Sequence, residues 1–210
     1  MDAHLVTDAV VDLGRMSLDF GRVDRITYHP DGITAESDTD HTVMLGLLAC
    51  SLADTYFPLL NVGMVAQYAL VHDLVEVYAG DTNTLRMPTA DAKAAKKRRE
   101  DDAYRKIADR FCAVLPWLPD LIAEYEDQAS DEARFVRALD KLLPKITHIL
   151  NGSVTIHEQG MSAEELAERY RVQIGELQAY ASDFPALFEL RAELVARVLN
   201  GFTPGRQGSG

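Results

Sequence analysis

Cysteine is nearly missing from this chain, with only Cys50 and Cys112 in 210 residues. Two thiols cannot make a disulfide framework, and they lie too far apart in sequence for a CxxC site, so both are expected to be buried, unreactive thiols. Long apolar runs are missing as well. None approaches the roughly 18–20 residues that a bilayer-crossing helix needs, and the opening MDAHLVTDAVVD is acidic where a secretory signal would be basic. A cytoplasmic location without a membrane partner is expected. Positive charge is the third shortage: Lys and Arg total 21 against 33 Asp and Glu, a net charge of -12. Such a surface repels a polyanion, which argues against a nucleic acid polymer as partner. A small anion is still admissible, because a few arginines and a metal can make one pocket locally positive.

What is present is an ordinary globular composition, 47% hydrophobic and 26% charged. At this length one domain over residues 1–200 is expected, with the closing TPGRQGSG placing a disordered tail at 201–210. No internal repeat is visible. Apolar residues recur at spacings of three and four through 42–56, where Val43, Leu47 and Cys50 form a stripe, and through 62–79, which stops at Gly80. The same period predicts helices near 90–113, 118–128, 131–150, 162–181 and 185–200. One segment differs. RITYHPDGITAES, residues 25–37, sets β-branched and aromatic residues on both sides of His-Pro-Asp-Gly, the pattern of a short hairpin, which could serve as a flap.

The chemistry concentrates in VHDLVEVYAGD, residues 71–81. On a helix over 62–79, His72 and Glu76 share a face and Asp73 stands about 100° round it. Charges in so apolar a setting need compensation, and a divalent cation supplies it. Further candidate ligands interrupt other apolar stripes. His41 opens the helix of 42–56, with Asp38 or Asp40 available as N-cap. Asp140 breaks the stripe of Phe135, Val136, Leu139 and Leu143. Pro144, four residues on, removes the N–H that would bond the carbonyl of residue 140, so a kink is expected there. A His and carboxylate set suits Mn, Co, Fe, Zn or Mg, and spacing does not choose among them.

His41, then His72-Asp73, then Asp140, resembles the signature of the HD-domain metal-dependent phosphohydrolases. HDLVEVYAGD, KAAKKRREDDAYRKI (93–107) and EYEDQASDEARFVRALDK (124–141) resemble the flanking segments of that family's 5'-deoxynucleotidase branch. The likeness covers roughly residues 10–150. It implies an all-α fold, an HD-domain helical bundle, and hydrolysis of the phosphate monoester of (deoxy)nucleoside 5'-monophosphates. It also implies a divalent metal ion held by His41, His72, Asp73 and Asp140, and a homodimer or higher homo-oligomer. Glu76 and Asp81 match carboxylates near the reacting phosphate, with roles in proton transfer, water positioning or holding a second ion. Arg25 matches the arginine that faces the phosphate, and Arg22 competes for that role. The chain departs from the family where PDGITAESDTDH replaces a shorter Glu-Ser-Val type stretch before His41. Residues 151–200 also exceed the short members, which predicts two extra helices. A dNTP triphosphohydrolase and a nucleotide-sensing bundle without turnover are the alternatives on the same scaffold.

Several residues are expected outside this constellation. The basic run Lys93, Lys96, Lys97, Arg98 and Arg99 reads as a solvated helix face, with attraction of phosphate as the alternative, and His148 and His157 read as surface or packing residues. Trp117 reads as a core anchor between Pro116 and Pro119. Tyr28, His29 and Tyr78 are weaker candidates for contact with a nucleoside.

Overall fold

The structure, a computed structural model, describes residues 2–83, 85–86 and 89–201. Of the tail expected at 201–210, everything beyond Gly201 lies outside those residues. The chain runs α1 (Ala3–Phe20), β1 (Asp24–Tyr28), β2 (Ala35–Ser37), α2 (Asp38–Tyr56), α3 (Val62–Val71), α4 (Glu76–Ala79) and α5 (Ala90–Phe111). It continues α6 (Trp117–Asp127), α7 (Asp131–Asp140), α8 (Leu143–Leu150), α9 (Val154–Glu158), α10 (Ala163–Ala181) and α11 (Pro185–Gly201). Among the described residues, helices thus make up the fold apart from one two-stranded sheet, β1 with β2.

The chain divides into two compact units. Among the described residues, the first draws on 2–25, 37–83 and 89–137, the second on 26–36, 85–86 and 138–201. Within the first unit α2 packs on α3, α3 on α6, α4 on α5, α5 on α6 and α1 on α4. The face that α2 buries is not the one its apolar stripe suggests. Leu45, Ala49 and Ala53 are wholly buried, whereas Val43 and Leu47 are 56% and 67% exposed. Cys50 is half-buried and Cys112 exposed, so the expectation of two buried thiols fails. The inward face carries small residues because α3 comes close: a Cβ on Gly46 would stand 4.0 Å from that of Ala69. Large side chains on that line would hold the helices apart.

The start of α2 also differs from expectation. Ser37, rather than Asp38 or Asp40, is the N-cap, and it forms a reciprocal capping box with Asp40. Asp38 is thereby freed to turn inward. The helix expected over 62–79 is broken, with α3 ending at Val71 and α4 beginning at Glu76. Bonds from Leu74 N to Val71 O, Glu76 N to Asp73 O and Val77 N to Leu74 O are three residues apart and tighten the chain into 3₁₀-like turns. The 131–150 pattern divides as Pro144 requires, into α7 and α8 with a turn at residues 141–142.

In the second unit the hairpin forms with its turn where His-Pro-Asp-Gly predicts it. His29 N donates to Thr34 O, Gly32 N to His29 O, and Gly32 takes φ 68°, the left-handed region glycine tolerates. It is tied down rather than free to act as a flap. Thr155 Oγ1 donates to Ile26 O and Asn151 Nδ2 to Tyr28 O, both at 2.8 Å, while Thr27 and Thr147 both donate to the buried Glu36. Beyond residue 150, the described residues form three helices instead of two. Ile156, Met161, Leu166, Tyr170 and Val198 form their core.

Candidate metal centre

The break between α3 and α4 shapes the site. A continuous helix would spend the Ala69 carbonyl on the amide of residue 73. Here His72 Nδ1 bonds that carbonyl at 2.8 Å. A carbonyl only accepts, so the proton sits on Nδ1 and the Nε2 lone pair faces away from the backbone. Nε2 lies 3.1 Å from Asp73 Oδ2. Two ligand atoms bound at roughly 2.1 Å to one ion, near a right angle, stand about 3 Å apart, so the pair has the spacing of shared ligands. His41, near the start of α2, brings its ring to 5.4 Å from that of His72. One ligand atom each from His41, His72 and Asp73 lies within 4.8 Å of the others. Both rings are buried, and the nitrogen and oxygen donors fit a divalent ion of the borderline group.

A second set of carboxylates adjoins this one. Asp38, Asp73 and Glu76 also offer oxygens within 4.8 Å of one another. Arg25 joins them. Its Nη1 donates to Asp38 Oδ1 at 2.8 Å and to Asp73 Oδ2 at 3.0 Å, and lies 3.9 Å from Glu76 Oε2. Asp38 is 0% exposed. Its Oδ2 and Glu76 Oε2 are buried atoms without a hydrogen bond. Burial, reinforced by the charges of Asp73, Asp38 and Asp81, pushes the Glu76 carboxyl far above the usual carboxylate range, against the pull of Lys96. Burial likewise raises Asp38, with Arg25 acting the other way. Four carboxylates thus influence one another where Arg25 and Lys96 supply the opposing charge. A cation is what this donor set lacks in charge.

The remaining candidates are placed as follows. Asp81 is half-buried just past Gly80, whose φ of 72° turns the chain out of α4. Arg22 is surface-exposed and paired with Asp19, away from the carboxylates that Arg25 engages. Asp140 is the last residue of α7, buried, and accepts a bond from Lys141 at 2.6 Å. Tyr28 and His29 belong to the hairpin, and Tyr78 is exposed beside Lys106. His148 is buried and His157 exposed. Trp117, expected in the core, is 50% exposed and donates from Nε1 to Gln67 Oε1. Two residues escaped the reading of the sequence. Asp38 looked like a cap, since an acid before a helix usually is one, and Lys96 was read only as one of a run of cations, without its contact to Glu76. The signal for Lys96 was the Glu100 one turn ahead of it.

Helices around a His-Asp cluster that could hold a metal ion define the class. The chain belongs to the HD domain family, whose model matches residues 21–180. It is similar to the 5'-deoxynucleotidase HDDC2 of Mus musculus, 36% identical over 109 residues, which are 50% of this chain and 51% of that protein. The Homo sapiens HDDC2 gives 36% over 109 residues, 50% of each chain. The 5'-deoxynucleotidase hdd1 of Schizosaccharomyces pombe gives 29% over 111 residues, 50% and 53%. The chain spans about half the length of these curated relatives. Among solved structures it is similar to one described as a predicted metal-dependent phosphohydrolase from Magnetospirillum magnetotacticum MS-1. The TM-score is 0.67 at 25% identity, covering 93% of this chain and 96% of that one.

Proposed function

We propose that the protein is a metal-dependent phosphohydrolase that removes the 5'-phosphate from (deoxy)nucleoside monophosphates. The observation that carries the proposal is the juxtaposition of His41, His72 and Asp73 with the Arg25-bridged acids Asp38, Asp73 and Glu76. The 5'-deoxynucleotidase activity for which the relatives are named points the same way. In this reading His41, His72 and Asp73 hold a divalent ion, Mn, Co, Mg, Fe or Zn, and Asp140 is assigned as the fourth ligand from the family signature. When bound, such an ion polarises a phosphoryl oxygen and acidifies water. The chain's own residues do the rest. His72 keeps its Nε2 directed by bonding Ala69 through Nδ1. Arg25, held through Nη1 by Asp38 and Asp73, is the guanidinium that the family resemblance sets facing the phosphate. Glu76 moves a proton at the attacking water or the leaving 5'-oxygen, and Asp81 positions that water. The proposed working form is a cytoplasmic homodimer or higher homo-oligomer, which sedimentation equilibrium tests.

The deciding experiment incubates metal-loaded protein with a panel of dNMPs and dNTPs and identifies the released group. Inorganic phosphate from dNMPs is expected. Triphosphate from dNTPs would replace this proposal with a triphosphohydrolase, and no release with any of the five metals would leave a nucleotide sensor.

A further inference from the structure

The basic run on α5 is not a uniformly solvated face. Lys97 pairs with Asp101 across one turn, and Arg99 donates to Thr82 Oγ1 at 2.9 Å. Lys96 behaves differently. Its side chain is mostly covered, its Nζ reaches Glu76 Oε1 at 3.4 Å, and Glu100 grips the same ammonium from one turn along the helix. Helices α4 and α5 pack directly on one another, so the approach is set by the helix pair rather than by a loose surface chain. An ammonium carries three N–H donors, and these two carboxylates take two of them.

A phosphate monoester brings two negative charges into a place already holding Asp38, Asp73, Glu76 and Asp81. Arg25 meets part of that load, but its Nη1 is committed to Asp38 and Asp73. Lys96 is the cation that reaches Glu76 from the opposite carboxylate oxygen to the one Arg25 approaches. We infer that Lys96 binds a phosphoryl oxygen of the substrate through its third N–H, with Glu100 as the residue that positions it. This rests on the phosphohydrolase reading and adds to it a specific anchor on α5.

The test measures binding of inorganic phosphate, the product, to metal-loaded protein by calorimetry, beside KM and kcat on a dNMP, for wild type, Lys96→Met, Lys96→Arg and Glu100→Gln. Bound metal is measured in each. Loss of one charge-assisted bond predicts phosphate binding weaker by roughly 10- to 100-fold in Lys96→Met, with KM raised more than kcat falls. Lys96→Arg is expected to restore binding to within about threefold, and Glu100→Gln to fall between, each with unchanged metal content. Phosphate bound by Lys96→Met within twofold of wild type overturns the inference, as does wild type that binds no phosphate. The phosphohydrolase reading fails separately, if wild type binds phosphate yet releases none from any nucleotide.

Discussion

Asp73 carries two duties at once, as a neighbour of His72 Nε2 and as a partner of Arg25. Removing it is expected to strip both. Asp73→Ala should lose bound metal and turnover together, checked by elemental analysis and phosphate release; full activity in a metal-free variant would sink the ligand assignment. Glu76 separates the functions, because the proposed function gives it a proton to move and leaves the first ion to the other residues. Glu76→Gln is expected to keep its metal while kcat falls by roughly 10²-fold or more, and an unchanged kcat would remove Glu76 from proton transfer. Asp38 is the subtler case. It is buried, bonded to Arg25, and leaves one oxygen without a bond. Asp38→Asn keeps the shape but weakens the hold on the guanidinium, so kcat/KM should drop about tenfold with metal retained. Unaltered kinetics would show that Arg25 needs no such support.

At the scale of elements, two breaks in the helical pattern have different origins. The one after α7 is written in the sequence, since Pro144 cannot donate to residue 140. The one after α3 is not, since nothing in VHDLVEVYAGD forbids a helix; it falls where His72 Nδ1 bonds the Ala69 carbonyl. Helix α8 carries a second consequence. Burial, with a smaller push from Lys145, holds His148 down at about 4, while Glu36 acts the other way. The folded state keeps this ring neutral while the unfolded chain takes a proton near its ordinary value of roughly 6.5. The unfolded state therefore binds more protons between those values, and this contribution to stability is complete above about 6.5 and lost as pH falls toward 4. Its full size is on the order of 3 kcal/mol. Denaturant melts of wild type and His148→Gln at pH 7.5 and 4.5 should show the smaller acid loss in the variant. Equal losses would place His148 outside the acid response.

For the whole molecule, the net charge of -12 and the buried carboxylates of the first unit act in one direction. Both favour cation uptake. A metal held at about 1,000 times its Kd stabilises the folded state by roughly 4 kcal/mol, so chelation should lower the Tm measurably and added Mn or Co should restore it. A Tm indifferent to chelator would contradict the reading of this cluster as a metal centre. No helix among the described residues is long and apolar enough to cross a membrane.

The sequence alone determined the helical class, the hairpin turn at Gly32 and the break at Pro144, and it singled out His41, His72, Asp73 and Asp140 as candidate ligands. Each follows from local chemistry: periodicity, a left-handed glycine, a missing amide, a signature. It misjudged the inward face of α2, where Gly46 and Ala49 rather than Val43 and Leu47 meet the neighbouring helix. It also misplaced Trp117 and the two cysteines, because burial depends on what packs opposite and no spacing records that. Tertiary structure decided that Ser37 caps α2 and so turns Asp38 inward, that Arg25 rather than Arg22 meets the carboxylates, and that Lys96 leaves its run to reach Glu76. The reason is common to all three. Buried charges must find partners, and which charges become buried is settled only when the helices close on one another.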